Sequence, residues 1–144
     1  MAGLVLVVDD EEGIRVLCRV NLELSGLSVL EAPDGPTAVA LARSHQPDVI
    51  FLDVMMPAMD GYEVLRQLKD DPLTAGIPVV MLTARTSVAD QSRAWGGGVV
   101  GYVAKPFDPQ ALADWANEAI LSCPPEAQAA RRERALERLR LLGD

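Results

Sequence analysis

Val49-Ile50-Phe51-Leu52-Asp53-Val54-Met55-Met56-Pro57 is the stretch that decides how this chain folds. Its first four residues are all apolar and leave no polar face. Such a run suits a strand covered on both sides, as in a parallel sheet. It ends on an acid, Asp53. Three other apolar runs end in a related way: 4–8 on Asp9-Asp10, 79–82 on Thr83, and 99–103 shortly before Lys105. In a parallel sheet these four ends share one edge. Three carboxylates, one hydroxyl and one ammonium would then surround a small space.

Working outward, segments of helical character separate the runs. Residues 13–25 place Ile14, Leu17, Cys18 and Leu24 toward a core, with Gly26 as a stop. Pro36 suits the first turn of a short helix carrying Ala38, Leu41 and Ala42. Asp60 followed by Glu63 reads as a capping box that opens a helix through Leu68. Ser87 can cap a helix to about Trp95 whose apolar stripe is thin. Asp108-Pro109 starts a helix in which Leu112, Trp115, Ala116, Ala119 and Ile120 recur at intervals of three and four, up to Pro124-Pro125. Gly96-Gly97-Gly98 follows no strand and precedes no Lys-Ser/Thr, so it reads as a helix exit and not a phosphate cradle.

Runs 27–30 and 99–103 are the weaker ones, the latter interrupted by Gly101, and suit sheet edges. The pattern predicts an α/β fold: a doubly wound, five-stranded parallel sheet of order 2-1-3-4-5, flavodoxin-like, with helices on both faces. Ligands of such sheets bind at the carboxyl ends of the strands.

The 144 residues suit one domain, and 49% apolar residues suffice for a core, which must be aliphatic because aromatics are only 4%. A net charge of −8 argues against a nucleic-acid surface. Residues 124–144 differ, holding five Arg against four acids. They are expected to form a helical tail or linker without an output domain, following a domain over 1–123. In the tail Ala135, Leu136, Leu139 and Leu142 could line one stripe, either solvated or joining a partner or a dimer. That stripe is too short for a coiled coil by itself. Cys18 and Cys123 lack metal-ligand spacing and the chain has one His, so no zinc site is expected. His45 reads as an exposed turn residue. No apolar run is long enough to span a membrane and no signal peptide opens the chain, so a cytoplasmic protein is expected.

Asp9, Asp10 and Asp53 crowded together would repel, so one must protonate or a cation must bind. Magnesium suits few carboxylates plus waters and a phosphoryl oxygen. The Lys105 ammonium can pair with Asp53, and Thr83 offers a hydroxyl donor.

With these positions in hand, the chain resembles the receiver domain of two-component response regulators over about residues 3–122. The matching stretches are Val7-Val8-Asp9-Asp10-Glu11, Asp53-Val54-Met55-Met56-Pro57-Ala58-Met59-Asp60-Gly61, Met81-Leu82-Thr83-Ala84, and Gly101-Tyr102-Val103-Ala104-Lys105-Pro106-Phe107. The resemblance implies that Asp53 accepts the phosphoryl group from a sensor histidine kinase or phosphotransfer protein. It implies Mg2+ held by Asp10, Asp53 and the backbone carbonyl of Met55, with Asp9 acting through water. Lys105 would contact the phosphoryl group, Thr83 would move to bind it, and Tyr102 would rotate inward, switching a downstream protein contact on that side. Met55 and Arg85 would tune dephosphorylation, and Lys105-Pro106 is commonly cis in the family. Receivers joined to winged-helix DNA-binding domains often carry an acid and an Arg in the last helix for pairing; residues 111–117 lack the Arg.

Two other classes compete. A magnesium phosphatase with a nucleophilic aspartate would need a general acid two residues later, where Met55 stands, so catalytic turnover is not expected. A receiver-like module that binds partners without phosphorylation would have no need of the full acid set.

Overall fold

The apolar run around Phe51 lies at the middle of the sheet. A computed structural model describes residues 3–57, 59–84 and 88–122. The elements alternate as β1 (Leu4–Val8), α1 (Glu12–Leu24), β2 (Ser28–Ala32), α2 (Gly35–His45), β3 (Val49–Asp53), α3 (Gly61–Asp70), β4 (Val79–Thr83), α4 (Val88–Gly96), β5 (Gly101–Ala104) and α5 (Pro109–Ser122). All strand pairs are parallel and their order is β2-β1-β3-β4-β5, as the sequence predicts.

Successive side chains of a strand point to opposite faces, so each strand feeds two cores. Leu6, Val8, Ile50, Leu52, Val79 and Met81 pack against α2, α3 and α4. Val5, Val7, Val49, Phe51, Val80 and Leu82 pack against α1 and α5. Fully buried Leu, Ile and Phe side chains each contribute about 1.5–3 kcal/mol relative to exposure. The same alternation sorts the strand ends. Asp53 continues the row of Val49 and Phe51, whereas Thr83 continues that of Val79 and Met81.

Local signals are mostly realised. The Asp34 carboxylate accepts the Thr37 N–H at 2.8 Å, and Pro36 stands in the first turn of α2. Asp60 accepts the Glu63 N–H at 3.0 Å and opens α3, but the Glu63 carboxylate engages Arg66 and Gln67. Gly26 follows α1 at φ 88°, and Gly98 exits α4 at φ 96°. His45 is exposed, though it is the last residue of α2 and not part of the turn.

Three expectations are corrected. In α1 the inward face carries Cys18 and Leu22; Leu17 is 40% exposed and Leu24 82%. Packing follows the i, i+4 row of 14, 18 and 22, which a count of apolar residues alone does not select. Strand β2 starts at Ser28 and extends to Ala32, past the expected end at Leu30. Glu31 is accommodated because Arg15 and Arg19 of α1 bind its carboxylate. Strand β5 begins at Gly101, because Val99 is still tied to the Ala94 carbonyl at the α4 exit and Val100 makes only the first bond to β4, at the Val79 carbonyl. Gly101 is no mere interruption: a Cβ there would lie 2.8 Å from the Trp115 ring, so this glycine seats the indole of α5 on the sheet. The Ser87 cap, Cys123 and the tail at 124–144 lie outside the described residues.

Cys18 is buried on the inner face of α1, and burial, reinforced by Asp9, pushes its thiol up to about 12. In a Cys123→Ser background, a thiol reagent at about pH 8 is expected to modify Cys18 only after denaturant is added. Rapid labelling of the folded protein would contradict this packing.

Candidate functional site

Four chain segments meet at the carboxyl edge of the sheet because the register forces them to. Val8 pairs with Leu52, Asp53 with Leu82, and Thr83 with Ala104. The residues after β1, at the end of β3, at the end of β4 and after β5 therefore lie side by side. Asp9, Asp10 and Asp53 each offer a carboxylate oxygen, and these atoms lie within 4.8 Å of one another. Asp9 is fully buried, Asp53 is 3% exposed, and Asp10 faces solvent.

Each group is held by specific bonds. Asp9 accepts the Glu11 N–H at 2.9 Å and the Lys105 Nζ at 2.7 Å. Asp53 accepts the Met55 N–H at 3.2 Å and lies 3.6 Å from Lys105 Nζ. The pairing of Lys105 with Asp53 expected from sequence is thus the longer of two contacts; its closer partner is Asp9. The Lys105 N–H also donates to the Thr83 carbonyl at 2.8 Å, which carries β5 pairing one step beyond the strand. The Lys105-Pro106 peptide is cis, as the resemblance implied.

The electrostatics follow from this geometry. Burial, then the neighbouring Asp9 charge, pushes the Asp53 carboxyl up to about 6, against the opposing pull of Lys105 and the Met55 N–H. Burial alone would lower the Lys105 ammonium, but its bond to Asp9 and the charge of Asp53 outweigh this and hold it above the usual lysine value. The three acids supply only hard oxygen donors, on a side open to water at Asp10. That donor set can hold a hard divalent cation.

Met55 extends its side chain outward, 57% exposed, beside the acidic cluster. Thr83 is buried at the end of β4. Tyr102 is half-buried and packs with the α2–α4 core, on the side to which Thr83 belongs. Arg85 lies outside the described residues. No helix among the described residues is long and apolar enough to cross a membrane.

Two contributors were not singled out from sequence. Gly61 opens α3 where a Cβ would run into the Asp53 carbonyl oxygen and lie 2.8 Å from Val54 Cα. Its N–H donates to the Val54 carbonyl at 2.9 Å, closing the loop behind Asp53. Backbone cannot yield cheaply, so Gly61→Ala is expected to cost about 1–2 kcal/mol in urea unfolding. An unchanged midpoint would contradict this close contact. Arg15 is the other: its Nη1 donates to the Asp9 carbonyl at 2.7 Å.

Comparison with known proteins agrees with this edge. The family model for the response regulator receiver domain matches residues 5–117. The chain is 43% identical over 104 residues to the DNA-binding dual master transcriptional regulator RpaA of Synechocystis, covering 72% of this chain and 43% of that protein. It is 45% identical over 108 residues to the response regulator PleD of Caulobacter vibrioides, covering 75% and 24%. It thus spans less than half the length of these relatives. Among solved structures, the chemotaxis protein CheY4 of Vibrio cholerae superposes with a TM-score of 0.78 at 33% identity, covering 83% of this chain and 99% of that one. The signal receiver domain of a histidine kinase from Syntrophus aciditrophicus gives 0.79 at 31% identity, covering 86% and 94%. Fold, acidic edge and kinship agree: the chain belongs to the response regulator receiver family, whose general work is phosphorylation-dependent signalling.

Proposed function

We propose that Asp53 accepts a phosphoryl group from the phosphohistidine of a sensor histidine kinase or phosphotransfer protein, with Mg2+ as cofactor. The observation that carries this is the buried Asp53 carboxylate, crowded by Asp9 and Asp10 and facing the Lys105 ammonium. One Asp53 oxygen forms the new P–O bond as the P–N bond of the donor breaks, and the imidazole departs neutral after taking up a proton. Asp10, Asp53 and the Met55 carbonyl would hold the cation, with Asp9 acting through water; when bound it neutralises charge on the phosphoryl oxygens.

The chain's own groups do the rest. Asp53 is oriented by the Met55 N–H, and burial beside Asp9 keeps its oxygen basic; the incoming phosphoryl group adds negative charge, which Lys105 and the bound cation would offset. Lys105 stands close enough to exchange its carboxylate contacts for a phosphoryl oxygen. Thr83 supplies a hydroxyl at the adjacent strand end. The half-buried Tyr102 on the same side then repacks with α4, altering the surface offered to a downstream protein. Met55 would shield the acyl phosphate from water, and Arg85 would contact it. Because Met55 has no proton to donate, the site stores the group and does not turn over a substrate.

The test is intact-mass analysis after incubation with acetyl phosphate and magnesium. Wild type is expected to gain one phosphoryl group, and Asp53→Ala none. Equal labelling of both, or none of either, would overturn the proposal. If wild type and Asp53→Ala bind a downstream partner equally, a phosphorylation-independent module is the better account.

A further inference from the structure

We propose that Arg15 is a positioning residue for the acidic pair, acting on the Asp9–Asp10 peptide, and that Glu31 anchors it. The inference rests on the reading that Asp9, Asp10 and Asp53 hold a divalent cation.

Asp10 is exposed, and its carboxylate must be aimed by the backbone that carries it. That backbone is fixed at one peptide. The Asp9 N–H donates to the Ala32 carbonyl of β2 at 3.2 Å. The Asp9 carbonyl, which belongs to the peptide leading into Asp10, accepts Arg15 Nη1 at 2.7 Å. Arg15 is itself held. Its Nε lies 3.3 Å from Glu31 Oε1, while Glu31 Oε2 takes Arg19 Nη1 at 2.6 Å. The Arg15 side chain is only 15% exposed. Glu31 sits directly across from Val7 in the β1–β2 ladder, so the sheet supplies the anchor point.

The chemistry selects arginine. A guanidinium presents several donors in a rigid plane and can bridge a carboxylate and a carbonyl together. A lysine carries the same charge on a single nitrogen at the end of a flexible stem and lacks the rigid plane that fixes the two acceptors relative to each other. The guanidinium of Arg15 pairs with Glu31 through Nε and gives Nη1 to the neutral Asp9 carbonyl. Its charge is matched by Glu31, so what it offers the Asp9–Asp10 peptide is a fixed hydrogen bond. Groups that orient ligands through hydrogen bonds typically change metal affinity by about 10–100-fold when removed.

The sign of the effect separates positioning from charge. If Arg15 acted only as a nearby positive charge, removing it would tighten Mg2+ binding by relieving repulsion. If it positions the peptide, removal weakens binding. Calorimetric titration with MgCl2 on wild type, Arg15→Met, Arg15→Lys and Glu31→Gln decides between these, with metal-free melting run alongside to verify folding. Arg15→Met is expected to weaken Mg2+ binding by about tenfold, and Arg15→Lys not to restore it. Glu31→Gln is expected to fall between Arg15→Met and wild type, since one amide oxygen cannot hold both guanidinium groups. Binding by Arg15→Met as tight as wild type or tighter, or full recovery in Arg15→Lys, overturns the proposal. Wild-type-like binding by Glu31→Gln removes Glu31 as the anchor. If Arg15→Met does not fold, Arg15→Lys alone decides: weakened binding supports the proposal and wild-type binding overturns it. Absence of Mg2+ binding by wild type removes the metal reading and this inference with it. Mg2+ binding by wild type that the variants leave unaltered removes this inference alone.

Discussion

Lys105→Met is expected to destabilise the magnesium-free protein by about 3 kcal/mol at about pH 7.5, because removing one member of a buried ion cluster strands the others. Lys105 Nζ lies 2.7 Å from Asp9 and 3.6 Å from Asp53, and both acids are almost wholly buried. Methionine keeps the length of the stem but returns nothing to either carboxylate. The deficit should shrink as the pH falls. Asp53 already takes up its proton near 6 with Lys105 present, and loss of the ammonium raises that value further. Chemical denaturation at about pH 7.5 and about pH 4.5 measures this. A deficit that is equal at both values would mean that methionine acts through packing and not through charge. Combining Lys105→Met with Asp53→Asn should recover more than about 1 kcal/mol, the coupling expected of groups in direct contact.

Asp53→Asn is expected to do the opposite and stabilise the metal-free protein. Burial and Asp9 raise the Asp53 carboxyl from 3.8 to about 6. A raised acid binds its proton more tightly in the folded state. Below about pH 4 both states are protonated and the effect is absent. As the pH rises from about 4 to about 6, the unfolded chain ionises first and stability is lost; above that window the full penalty applies. Two pKa units correspond to about 3 kcal/mol, and some relaxation brings the expected gain to roughly 2 kcal/mol at about pH 7.5. Asparagine retains an oxygen for the Met55 N–H, so the loop need not rearrange. Millimolar magnesium should narrow the gap by stabilising wild type more than the variant. A melting temperature for Asp53→Asn at or below that of wild type at about pH 7.5 would refute the crowding argument.

Both variants probe one tension. The same crowding that weakens the folded state prepares the three carboxylates to share their charge with a cation. That is the usual relation between a functional cluster and stability.

The fold was largely legible because its signals are local. Apolar runs at 4–8, 49–52 and 79–82 mark buried strands by composition alone. Asp34, Asp60 and Gly26 mark helix ends through their own backbone geometry. Strand alternation then brought Asp9, Asp10, Asp53, Thr83 and Lys105 to one edge. The failures concern groups whose environment is set by remote residues. Glu31 looked like the end of a strand because its charge is neutralised only by Arg15 and Arg19 from another element. Leu17 and Leu24 looked like core because nothing in α1 states which side faces the sheet. Gly61 looked like a motif glycine, and only the backbone of Asp53 and Val54 pressed against it gives the reason for it.

The sequence by itself determined the strand order, the edge at which the chemistry gathers and the acid that ends the central strand. These depend on hydrophobic period and chain connectivity, both written along the chain. The tertiary structure alone decided which carboxylate Lys105 grips, how high Asp53 is raised, and that Arg15 holds the Asp9 carbonyl. Such distances join residues as far apart as Asp9 and Lys105. They are set by sheet register and helix packing, which no local stretch of sequence contains.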